Sequence, residues 1–137
     1  MLAGMTTQYS FFFNHFCYNF STKNMQFLVI GKDGADEKAL ERRMAVREEH
    51  LKLGDQMEAS GERWYGCVML DESGKMIGSM AVLDFPSENE LREYLKIEPY
   101  VIGGVWKTIE TYKCKVKRPW KFNRPQEFFK EREKRNK

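Results

Sequence analysis

The sequence predicts an α+β fold, on three observations. Runs of β-forming residues and stretches of helical period alternate in the order β-α-β-β-α-β. The two middle β-runs are parted only by Asp71-Glu72-Ser73-Gly74, a turn signal that makes them a hairpin. And 137 residues, 42% apolar and 31% charged, are enough for one domain with a sizeable core and too few for two. This order suggests the ferredoxin-like split βαβ sandwich, an antiparallel sheet with both helices on one face. The other face is left apolar, so a homodimer is expected.

The elements follow in order. Gln26 to Gly31, QFLVIG, reads as a buried strand, and Lys32-Asp33-Gly34 as the turn after it. Asp36 is a candidate N-cap for the helix that follows, with Glu37 in the first turn, and Ser60-Gly61 ends that helix. Arg63 to Leu70 and Lys75 to Phe85 are the hairpin strands. Ser87, with Glu90 three residues on, is a capping box for a helix over Glu88 to Lys96, which Pro99 stops. Val105 to Val116 alternates as the last strand.

The first helix, Leu40 to Met57, organises the rest. At 100° per residue its outer face, Ala45 apart, is charged or polar. On the opposite side two apolar flanks, Val46, Leu53 and Met57 against Leu40, Met44 and Leu51, bracket Arg43, Arg47 and His50, with Gly54 leaving space above. Burying an arginine without a partner costs several kcal/mol, so this strip requires a polar cavity or an anionic partner. Two readings remain open: a functional cleft, or arginines paired with carboxylates at a subunit contact around a satisfied core histidine. A second candidate stretch is Glu98-Pro99-Tyr100 with Gly103-Gly104, where a proline holds a carboxylate and a phenol. A carboxylate opposite His50 would orient the imidazole as a general base. The plain alternative is that Glu98 caps the loop and Tyr100 is core.

The ends differ from the middle. Residues 1–24, rich in Phe and Tyr, read as an extension: a mis-assigned upstream start, with Met25 the true one, or an arm over an apolar surface. They lack the charged n-region of a signal peptide and the length of a membrane span. From Lys117 to Lys137 nine Lys/Arg and three Glu give +6, which leaves residues 1–116 at −3 within a net charge of +3. A basic tail on a mildly acidic domain is no argument for a nucleic-acid-binding core. Cys17, Cys67 and Cys114 are odd in number and far apart, so neither a disulfide framework nor a zinc knuckle is indicated, and a reducing, cytoplasmic setting is expected. No metal site is expected, because His50 has no second His or Cys at ligand spacing.

L-E-R-R-M-A-V-R-E-E-H-L, over Leu40 to Leu51, and Glu98-Pro99-Tyr100…Gly104-Val105 resemble the two signatures of the YCII-related (YciI-like) family, in the family's order. The resemblance covers roughly Met25 to Val116. It implies a ferredoxin-like domain dimerised as an α/β barrel, with a His–Asp pair in a cleft, and some relatives that act without a cofactor, among them a dehydrochlorinase. His50 would be the acid/base, and Glu98 stands where the family has Asp. Arg43, Arg47 and Tyr100 would bind substrate. The expected function is therefore a cofactor-independent lyase or isomerase acting on an anionic or phenolic small molecule. The alternative is a dimeric accessory protein that binds such a ligand without turnover.

Overall fold

The computed structural model of the protein describes residues 24–117. Seven elements run β1 (Met25–Asp33), α1 (Ala39–Ser60), β2 (Arg63–Leu70), β3 (Met76–Phe85), α2 (Glu88–Ile97), α3 (Pro99–Ile102) and β4 (Trp106–Cys114). The sheet order is β2-β3-β1-β4, and every neighbouring pair is antiparallel. This is the ferredoxin-like split βαβ arrangement that the sequence predicts. The expected N-terminal extension and basic tail lie outside the described residues, apart from Asn24 and Lys117. No helix among the described residues is long and apolar enough to cross a membrane.

Local chemistry accounts for the ends of the helices. α1 begins at Ala39, and Asp36 is not its N-cap. The Asp36 carboxylate instead takes a two-pronged bond from Arg42 (2.8 and 2.5 Å), which holds it well below the usual carboxylate range. With both oxygens so engaged, it reaches only the Lys38 N–H, at 3.2 Å. At the other end Gly61 takes φ 85°, the left-handed cap that glycine adopts freely, and the Glu62 N–H bonds back to the Met57 carbonyl at 2.8 Å. α2 starts as expected: the Ser87 hydroxyl accepts the Asn89 N–H and donates to the Glu90 carboxylate. The hairpin turn is held by Asp71, whose Oδ1 accepts the N–H groups of Ser73 and Lys75.

β1 runs two residues further than its apolar segment suggests, so Asp33 lies in the strand rather than in a turn. Alternation then sends Phe27, Val29 and Gly31 to the helix-covered face. Phe27 and Val29 pack with Ala81, Leu83 and Phe85 of β3, Met57 of α1, and Leu91 and Tyr94 of α2. Leu28, Ile30, Met80 and Val82 occupy the alternate positions of the paired strands β1 and β3, facing away from both helices. Cys67 pairs with Met80, and Tyr65 and Tyr112 on the flanking strands are about half exposed.

Candidate functional site

Glu98 is the residue from which the site is built. It closes α2, donating its N–H to the Tyr94 carbonyl, and it is the N-cap of α3. Its backbone is extended (φ −67°, ψ 121°), the conformation a following proline imposes, and Pro99 occupies the first helical position, where a missing N–H does no harm. The Oε2 atom accepts the N–H groups of Tyr100 (2.7 Å) and Val101 (3.1 Å), two of the orphan donors of the new helix. Pro99 therefore starts a second, short helix rather than only stopping the first.

Capping uses one carboxylate oxygen. The other, Oε1, is hydrogen-bonded to Nδ1 of His50. Glu98 is fully buried and the His50 side chain is 11% exposed. The carboxylate is held in place by two backbone donors, so the imidazole it binds is fixed in tautomer and in direction. His50 Nε2 makes no hydrogen bond among the described residues. The His50 ring lies parallel to that of Tyr100, with centroids 3.8 Å apart and an interplanar angle of 15°. Trp106 meets both rings edge to face, at 5.9 and 5.6 Å.

Arg43 also lies against the Tyr100 ring, its guanidinium carbon 4.5 Å from the centroid. It is 2% exposed, yet it is not a free cation. Nη1 donates to both oxygens of Asp33 (2.9 and 3.0 Å), and Nη2 donates to the Ser79 hydroxyl at 2.7 Å. The anionic partner that the strip requires thus comes from the same chain, at the end of β1. Arg43 supports the Tyr100 ring from within and has no spare charge. Arg47 differs: it is half-buried and makes no ion pair among the described residues. Burial raises the pKa of Tyr100 above the usual phenol value, against the opposing charges of Arg43 and Arg47, so Tyr100 is a neutral hydroxyl at pH 7.

The structure gathers all five sequence candidates, Arg43, Arg47, His50, Glu98 and Tyr100, on one side of α1. It adds Asp33, Ser79 and Trp106. Asp33 was missed because Lys-Asp-Gly reads as a turn. Trp106 was missed because its place depends on Gly31: a Cβ there would lie 2.2 Å from the indole ring, so the ring lies directly on the bare backbone of β1. The space expected above Gly54 is not empty, because the Arg63 guanidinium fills it, with Nη1 1.9 Å from where a Cβ would be. Among the described residues no three His, Cys, Asp or Glu side chains gather as a metal site. A separate groove between α2 and β4, floored by Phe27, Leu91 and Leu95, contains none of these residues, and its Glu88 and Lys113 neutralise each other at 2.9 Å.

Comparison with known proteins bears on the fold and the family. No curated protein matches the sequence. Among solved structures, the 5-chloro-2-hydroxyhydroquinone dehydrochlorinase from Burkholderia phenoliruptrix, in complex with 2,5-dihydroxybenzoquinone, superposes with a TM-score of 0.59 at 18% identity, over 68% of this chain and 96% of that one. That likeness shows a shared fold. The family model for the YCII-related domain matches residues 25–115, which takes in every strand and helix described above and the whole His50–Glu98 constellation. The chain belongs to the YCII-related domain family.

Proposed function

We propose that the protein is a cofactor-independent lyase or isomerase acting on an anionic or phenolic small molecule. One observation carries the reading: a histidine whose Nδ1 is bound to a buried carboxylate while its Nε2 is left for a ligand. That is the arrangement a general base needs. Nε2 takes a proton from a carbon or hydroxyl next to a carbonyl. The electron pair left behind moves onto oxygen, where Arg47 stabilises the enolate or phenolate. Returning the proton to a different atom completes an isomerisation. Expelling an anionic leaving group completes an elimination, the class to which the structurally similar dehydrochlorinase belongs. Tyr100 lines the pocket as a neutral donor, and Arg43 holds its ring in place.

The second reading, ligand binding without turnover, is favoured by the other task of Glu98. A carboxylate already needed as a helix cap would remain even in a protein that performs no chemistry. In either case a homodimer covers the open sheet face of Leu28, Ile30, Met80 and Val82, and the solution mass is twice the chain's 16.3 kDa.

The test is the ring NMR signals of His50 in the full chain, with His15→Gln to leave one imidazole, compared with the same chain carrying Glu98→Gln. A downfield Nδ1–H proton bound to the carboxylate is expected, and it should move upfield on loss of that carboxylate. Unmoved ring signals mean the pair is uncoupled, and the general-base reading fails. His50→Ala then separates the two readings: an enzyme loses turnover of a chlorinated hydroxyquinol and keeps binding, whereas a binding protein has no turnover to lose.

A further inference from the structure

We propose that Arg63 is a second anion-binding residue of the His50 cleft, and that the ligand of the cleft is a dianion held between Arg47 and Arg63. The proposal rests on the reading of that cleft as a ligand site. Arg63 opens β2 opposite Leu83, a residue of the helix-covered core. Its side chain therefore rises toward α1 rather than toward the open face. The guanidinium passes between two glycines. A Cβ on Gly54 of α1 would lie 1.9 Å from Nη1, and a Cβ on Gly66 of β2 would lie 1.9 Å from Nη2. Any larger residue at either position would push the group out. Glycine is a poor choice in the middle of a helix and in a strand interior, and here both are accounted for by the one guanidinium between them.

Residues 47 and 54 are seven apart, two turns of helix, so they share a face about 10 Å apart along the axis, with His50 between them. The Arg63 charge sits at the second of these positions, although Arg63 itself belongs to another element. His50 is thus bracketed by guanidinium groups from α1 and from β2.

What sets Arg63 apart is its lack of a close counter-charge. Its side chain is 15% exposed, and its ion pair is a 3.8 Å contact from Nε to Glu58, a residue half in solvent. Among the described residues no hydrogen bond reaches either Nη; the buried Nε is unbonded too, as it is in Arg42 and Arg43, so the difference lies in the empty fork. Arg43, on α1, shows how this fold fills the fork of a buried guanidinium: a carboxylate on one Nη and a hydroxyl on the other. A mostly buried guanidinium with its fork unfilled is matched by a carboxylate, phenolate or similar oxyanion. A ligand with acidic groups on both sides of its reacting centre satisfies Arg47 and Arg63 together and places that centre at His50.

The test titrates benzoate and terephthalate into the full chain, followed by the His50 resonances and by calorimetry. The wild type is expected to bind terephthalate at least tenfold more tightly than benzoate, beyond the statistical advantage of two equivalent carboxylates. Arg63→Gln removes that preference by bringing terephthalate affinity down toward that of benzoate, while Arg63→Lys keeps most of it. Gly54→Ala removes it too, because the new methyl takes the place of Nη1 while improving helix propensity. If Arg63→Gln does not fold, the lysine and alanine variants decide. Equal affinities in the wild type, or a preference that survives Arg63→Gln or Gly54→Ala, overturn the role of Arg63 and leave the cleft reading intact. Binding of neither compound overturns the anion cleft itself.

Discussion

The helix-covered face of the sheet has two ends, and they are built differently from the same strands. Along β1 the inward positions run Phe27, Val29, Gly31, Asp33; along its partner β3 they run Phe85, Leu83, Ala81, Ser79. Side chains shrink and turn polar in step on both strands. At the large end the space is filled by hydrocarbon, with Phe27, Leu83, Phe85, Met57, Leu91 and Tyr94 packed together. At the small end the missing volume admits the Trp106 indole over Gly31 and the Arg43 guanidinium over Ser79. Around these sit Asp33, Tyr100, His50 and Glu98. One end is held by area removed from water and the other by matched charge, so the two should fail in different ways. The lesson is that a ferredoxin-like sandwich gains a buried polar site by tapering two adjacent strands, with no change of topology.

Breaking the polar end has the largest expected effect. Asp33→Ala leaves the Arg43 guanidinium buried and unpaired and should lower stability by about 3 to 5 kcal/mol in urea unfolding. Replacing both, Asp33→Ala with Arg43→Met, should recover much of that loss, because no isolated charge remains. A double variant as unstable as the single one would mean that the pair is more than self-compensating.

At the apolar end Leu83→Ala, at a residue with 0% exposure, should cost about 3 kcal/mol through lost transfer energy and a cavity. Its His50 ring NMR signals should match those of the wild type. A shift there would show that the two ends are mechanically coupled.

Glu98→Asp separates the two tasks of one carboxylate. Aspartate caps helices well, so stability should change by less than about 1 kcal/mol. It is one methylene shorter, so the His50 Nδ1–H signal should move upfield as it does in Glu98→Gln. A signal unchanged by the substitution would mean that the backbone shifts to restore the contact.

The smallest effect distinguishes the ends by pH. Burial raises the pKa of Tyr94 at the apolar end and of Tyr100 at the polar end, though Arg43 and Arg47 oppose the rise at Tyr100. Above pH about 10 the unfolded chain releases both phenol protons while the folded state keeps them. The folded state then binds more protons, so stability falls as pH rises. Tyr94→Phe should flatten this alkaline loss more than Tyr100→Phe does, as measured by thermal unfolding between pH 8 and 11.

Much of this was legible along the chain. Arg63 to Leu70 is the strand that its composition predicts, and the capping box at Ser87 and Glu90 starts α2 as its spacing implies. Arg43, Arg47 and His50 were marked by falling together on one helical face between apolar flanks, and Glu98-Pro99-Tyr100 by a proline beside ionisable groups. These signals are local: period, caps and turns are set within a few residues.

Which groups meet was settled by packing across the fold. Asp33 and Arg43 are ten residues apart, His50 and Glu98 forty-eight. No period reports either distance. Nor could the sequence say that Gly54 makes room for Arg63 of the next strand rather than for a ligand, because a glycine marks space without naming its occupant. Local chemistry determined the elements and nominated the residues. Register and packing brought the charges within reach of one another, and the low dielectric of the interior then makes each pairing matter.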